Sequence, residues 1–121
     1  MSTVQLREGE SLSLDAYQCA TGETAVYGEG CPDGIYPLLY TILGINGEAG
    51  EVAEIIKKEL RKGHTKLSDE VKQKLVDELG DVMWYLARAC AELDIRLSCV
   101  AEGNLHKLRT RKASGTLKDH E

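Results

Sequence analysis

The chain has 121 residues, enough for one domain with a modest core and few enough that a partner copy would help it. Its composition, 42% apolar and 29% charged, is that of a folded globular protein and excludes a disordered one. A formal net charge of -5 argues against a dominant basic face, and so against nucleic acid or an anionic membrane as partner.

Residues 1–10 are polar and aperiodic and read as a loose arm. Ser11 or Ser13 can cap a first helix with Asp15 in its first turn, running through Tyr17, Gln18 and Ala20 toward Val26. From Tyr27 to Gly34 glycine and proline are dense, which predicts a loop. The apolar run Ile35 to Ile45 leads into a second helix, with Gly44 and Gly47 as places for a kink and Arg61-Lys62-Gly63 as its stop. After a short connection, Ser68 is the expected N-cap of a third helix reaching about Leu93, with Asp69 and Glu70 in its first turn. Ser98 is the expected cap of a fourth helix whose short apolar face is Val100, Leu105 and Leu108. Residues 112–121 read as a flexible tail. Strand signals are poor throughout, so the expectation is a single all-α domain over 1–121. It is a four-helix bundle whose two central helices, joined by a short connection, lie antiparallel.

Cys19, Cys31, Cys90 and Cys99 form no C-x-x-C pair and have no histidine at zinc-ligand spacing. With no signal peptide, they read as reduced thiols of a cytoplasmic protein. No apolar run reaches the roughly 18 residues of a membrane span.

The central helices carry an internal repeat. Glu48-Ala49-Gly50-Glu51-Val52 returns as Glu78-Leu79-Gly80-Asp81-Val82, and the apolar positions 45, 49, 52, 53, 56 and 60 match 75, 79, 82, 83, 86 and 90. In each window two acids stand three residues apart, stacked by one helical turn on the flank of the apolar stripe. Like charges stacked at a half-buried margin repel unless a cation lies between them. Gly50 and Gly80 each cost a helix about 1 kcal/mol relative to alanine, which suggests a compensating close approach of the two helices. Glu48, Glu51, Glu78 and Asp81 would then surround one small volume, and carboxylates without a neutral ligand suit Mg²⁺ or, as a substitute, Mn²⁺. A di-iron bundle needs Glu-x-x-His, which is missing, and no Walker A loop, Rossmann fingerprint or EF-hand loop occurs.

At these residues the sequence resembles the MazG-type all-α nucleoside triphosphate pyrophosphohydrolases. The likeness runs from Tyr17-Gln18 to Arg111 and is strongest at 44–54, 78–86 and 104–111. The resemblance implies metal-assisted hydrolysis of the α–β phosphoanhydride of a nucleoside triphosphate, giving a monophosphate and pyrophosphate, with housecleaning of the nucleotide pool as its use. Glu48, Glu51, Glu78 and Asp81 would hold one or two Mg²⁺. Some relatives place a further glutamate where this chain has Gly47, so Glu48 or Glu51 serves as base, or a metal hydroxide attacks unaided. Asn104, Lys107 and Arg111 match the family's phosphate-contacting end, and Lys58, two turns beyond Glu51, is a further phosphate candidate. Tyr17, Gln18, Tyr40 and Trp84 are candidates to stack on or read a base. The third helix is apolar over more than one face, which points to a homodimer or homotetramer whose partner helices complete each site. Related dUTP and phosphoribosyl-ATP pyrophosphohydrolases, and a non-catalytic helical module that binds a nucleotide or a partner, are the alternatives.

Overall fold

A computed structural model describes residues 4–28 and 34–118. Glu29 to Asp33, within the expected loop and including Cys31, lie outside the described residues, as do the ends of the expected arm and tail. The architecture is all-α. The described residues form four helices, α1 (Leu14–Thr21), α2 (Tyr36–Arg61), α3 (Asp69–Glu92) and α4 (Leu97–Ser114), and one 3-10 segment, Gly22–Thr24, and contain no strand. Among them no helix is long and apolar enough to cross a membrane.

Local chemistry sets most of the boundaries. Ser13 caps α1 by accepting from Ala16 N, and Ser68 caps α3 by accepting from Val71 N. Pro37 stands in the first turn of α2, where its missing N–H costs nothing. α2 ends at Arg61 with Gly63 in the left-handed region at φ 74°, a conformation natural to glycine. Two C-terminal ends differ from expectation. α1 stops at Thr21 and tightens into the 3-10 turn before it can reach Val26. α4 continues to Ser114, inside the expected tail, and closes on Gly115 at φ 73°.

The main contact is between α2 and α3. Numbers rise along one as they fall along the other: Gly44 meets Tyr85, while Glu48 meets Glu78 and Asp81, so the pair is antiparallel. α2 is helical without interruption through Gly44 and Gly47. The facing surfaces take in one edge of each apolar stripe. Ile45 and Val52 on α2, and Leu75 and Val82 on α3, are withdrawn from solvent, as are Thr41, Glu48, Ile55 and Glu59 on α2 and Val71, Glu78, Tyr85 and Ala89 on α3. The other edge faces out, with Leu60, Leu79, Met83 and Leu86 exposed. The acidic flank therefore lies between the two helices.

Gly50 and Gly80 do not mediate the approach. A Cβ built on either meets nothing within 4 Å. The close contact is at Gly44, where a Cβ would fall 2.7 Å from Cγ of Tyr85 and nearer still to the ring's Cδ1 and Cε1. The expected modest core is also smaller than composition suggests: among the described residues only Ala87, Ala89, Cys90 and Leu97 are buried hydrophobics, with Tyr17 packed against them. Cys19, Cys90 and Cys99 are free thiols, as expected.

Candidate functional site

Glu48 on α2 and Glu78 and Asp81 on α3 each offer a carboxylate oxygen, and these oxygens lie within 4.8 Å of one another. The helical period explains the arrangement. Glu78 and Asp81 are stacked one turn apart, and antiparallel packing sets Glu48 opposite both. Burial, then a hydrogen bond with Glu78, then the negative charges of Asp81, Glu78 and Glu51 push the Glu48 carboxyl above its ordinary range. Charge is thus concentrated here, and among the described residues no ion pair reaches these three acids. The expected fourth member is displaced: Glu51 acts on Glu48 through its charge but does not join the converging oxygens. It stands one turn beyond Glu48 on the exposed side.

A wall of aromatic rings adjoins the acids. Tyr27 stacks on Tyr40 with centroids 5.4 Å apart and planes 11° apart, and meets Trp84 edge-on at 6.1 Å. Trp84 and Tyr85 make a second edge contact at 5.0 Å, and Tyr85 lies 6.3 Å from Tyr40. Thr24, Val26, Tyr27, Tyr40, Trp84 and Tyr85 line a cavity of about 220 Å³. Trp84 Nε1 donates to Thr24 Oγ1 at 2.9 Å, which fixes the indole, and the Tyr27 hydroxyl donates to Glu92. Tyr85 joins this wall to the acids. Burial first, then its hydrogen bond with Tyr40, then the charges of Tyr40, Glu48 and Asp81 push its hydroxyl upward. Sequence reasoning named Tyr40 and Trp84 but missed Tyr27 and Tyr85. Tyr85 was within reach, since 78, 81 and 85 share one helix face; Tyr27, in a glycine-rich loop, carries no periodic signal.

Other expected site residues fall elsewhere. Gln18 is not available to read a base: its Oε1 accepts from Leu97 N at 2.8 Å, and its Nε2 donates to Ile95 O at 2.9 Å. Tyr17 packs on the core while lying in the field of Asp81; burial, then that charge, raise its hydroxyl. Lys58 is exposed near the end of α2, and among the described residues no ion pair ties it to the acids. On α4, Asn104 lines an apolar groove of about 300 Å³ with Leu14, Met83, Leu86, Leu97, Val100 and Ala101. Lys107 is exposed and Arg111 half-buried farther along the same helix. Ser98 is not the cap of α4, which begins at Leu97 behind Arg96.

An antiparallel helix pair that gathers carboxylates between its two members, with α1 and α4 laid against it, places the chain in a class of small all-α proteins with an acidic candidate site. Comparison with known families narrows the class. The model of the MazG nucleotide pyrophosphohydrolase domain matches residues 38–115, so the chain belongs to the MazG family. That span holds both acidic windows and α4. A curated relative, the Gene 37 protein of Mycobacterium phage L5, is 44% identical over 107 residues, covering 88% of this chain and 94% of that protein. No solved structure matches the chain.

Proposed function

We propose that the chain is a divalent-cation-dependent nucleoside triphosphate pyrophosphohydrolase that cleaves between the α and β phosphates, releasing a nucleoside monophosphate and pyrophosphate. The observation that carries this reading is the convergence of Glu48, Glu78 and Asp81 within 4.8 Å. Family membership supports the reaction class. The donor set fits Mg²⁺, with Mn²⁺ as substitute: it consists of hard carboxylate oxygens, and Glu48 is held above its ordinary range in their company. When bound, the cation supplies charge neutralisation for the phosphates and acidifies a coordinated water.

The remaining work falls to this chain's side chains. Glu48, Glu78 and Asp81 would hold the cation. Glu51, outside the converging set but close enough for its charge to act on Glu48, would take a proton from the attacking water. The cavity among Tyr27, Tyr40, Trp84 and Tyr85 offers π-faces to a base, beside Tyr85, which borders the acids. Asn104, Lys107 and Arg111 on α4, and Lys58 on α2, supply the phosphate contacts. Exposed Ile42, Leu60, Leu79, Met83 and Leu86 form apolar surface that a second copy of the chain would cover, making the working species a homodimer or homotetramer. Clearing unwanted nucleotides from the pool is the matching biological use.

The test is pyrophosphate release from a panel of deoxy- and ribonucleoside triphosphates, including dUTP and oxidised or methylated bases. Release should require Mg²⁺ or Mn²⁺, vanish in EDTA, and fall at least about 100-fold in Asp81→Ala, because a lost cation removes several kcal/mol of transition-state stabilisation. Metal-independent release, or undiminished release in Asp81→Ala, would overturn the assignment.

A further inference from the structure

α4 begins without a cap of its own. Arg96 at its N-cap makes no side-chain hydrogen bond to the helix, so the first amides need acceptors from elsewhere. α1 supplies them. Asp15 Oδ1 accepts from Ser98 N at 3.1 Å and Oδ2 accepts from Ser98 Oγ at 2.8 Å, while Gln18 Oε1 accepts from Leu97 N at 2.8 Å. Gln18 also ties down the approach to the helix by donating to Ile95 O at 2.9 Å. The hydroxyl and then the amide of Ser98 hold the Asp15 carboxyl below its ordinary value, so the cap carries a negative charge at a helix N-terminus, the favourable end. Asp15 and Gln18, three residues apart, share one face of α1, so a single short helix delivers both.

Beyond this turn α4 buries little apolar surface. Leu97 is its one buried residue, and Val100 and Leu105 remain 42% and 47% exposed. Arg111 stands 14 residues beyond Leu97, about 20 Å along the axis at 1.5 Å per residue. A tilt of about 10° at the first turn would therefore carry Arg111 sideways by about 3–4 Å, more than a hydrogen bond tolerates.

We infer that Asp15 and Gln18 are positioning residues that set the direction of α4 and thereby place Asn104, Lys107 and Arg111 for the phosphates. This rests on the reading of those three side chains given above. The clamp acts through α4 and touches no reacting atom.

The experiment compares the full-length chain with Asp15→Ala, Asp15→Asn, Gln18→Ala and Lys107→Ala by amide hydrogen exchange and by steady-state pyrophosphate release. In Asp15→Ala, exchange over residues 97–114 should quicken about tenfold while α2 and α3 keep their protection. KM should rise at least about fivefold with kcat within about twofold of the parent, the signature of lost binding. Asp15→Asn, which retains one acceptor, should fall between, and Gln18→Ala should repeat the pattern if Asp15→Ala fails to fold. Lys107→Ala should raise KM without opening α4, and its effect should shrink in the Asp15→Ala background, because a misplaced helix no longer presents the lysine. Unchanged exchange in α4, or faster exchange with an unchanged KM, would overturn the inference. If the parent releases no pyrophosphate, the hydrolase reading fails by itself, and the clamp is decided by exchange alone.

Discussion

Replacing Gly44 by alanine sets two effects of opposite sign against each other. Alanine in a helix interior gains about 1 kcal/mol over glycine. At Gly44, however, the new methyl would lie 2.7 Å from Tyr85 Cγ and closer to two other ring atoms. Because Cγ is the root of the ring, rotating its far edge away does not relieve the contact; α3 must shift or the side chain must leave its rotamer. Overpacking of this kind costs about 1–3 kcal/mol, so the net change is a loss of up to about 2 kcal/mol. Gly50 and Gly80 have open space where a Cβ would go, so alanine there should stabilise by about 0.5–1 kcal/mol each. Urea unfolding of the three variants, compared at constant m-value, reads the signs directly. Gly44→Ala stabilised as much as Gly50→Ala and Gly80→Ala would refute the helix-to-ring contact. Destabilisation by Gly80→Ala would show that another chain occupies that face of α3.

Glu48→Gln should raise the melting temperature in EDTA, since it removes the charge that burial and its neighbours disfavour; the gain should disappear in saturating Mn²⁺, and a loss of stability in EDTA would contradict the repulsion. At the end of α2, the half-exposed His64 holds Glu59 through an Nδ1–Oε1 contact of 2.9 Å, and that contact first, then Lys62, keep the Glu59 carboxyl below its ordinary 4.5. A lowered carboxylate stabilises the fold above its unfolded value and loses the contribution as pH falls through its folded one. The stability gap between the parent and Glu59→Gln should therefore be open above pH 4.5 and close below it; a gap that widens with acid would be the wrong sign. Leu79→Lys, on the outward stripe of α3 where Leu79 is 54% exposed, should reduce the mass measured by light scattering to that of one chain, and an unchanged mass would remove the apolar stripe as an interface.

The helices were legible in sequence because their signals are local. Ser68 and Gly63 act within one turn of themselves, and a periodicity of 3.6 needs no knowledge of the partner. Which face packs inward was legible only in part: the acids meet as their spacing suggests, with Ile45, Val52, Leu75 and Val82 beside them, but the rest of each stripe does not follow. The apolar stripe marks a surface to be covered, but within one chain the antiparallel pair closes on the acidic flank and leaves Leu79 and Met83 outside. The same ambiguity explains the glycines: Gly50 and Gly80 stood beside the acids in sequence, yet the contact fell at Gly44, whose partner Tyr85 lies 41 positions away in sequence. Of the four acids that spacing singled out, three converge and Glu51 does not, because one turn along a helix shifts a side chain from an interface to its rim. Gln18 was assigned to a base because nothing in sequence shows that α4 lacks a cap.

We propose that Glu48, Glu78 and Asp81 hold one hard divalent cation that turnover requires. Titrating the protein with Mn²⁺ and following the free ion by electron paramagnetic resonance tests it most directly. Binding should saturate, be lost in Asp81→Asn and Glu78→Gln, be competed by Mg²⁺, and be largely kept in Glu51→Gln. Equal Mn²⁺ binding by the parent and Asp81→Asn would contradict it.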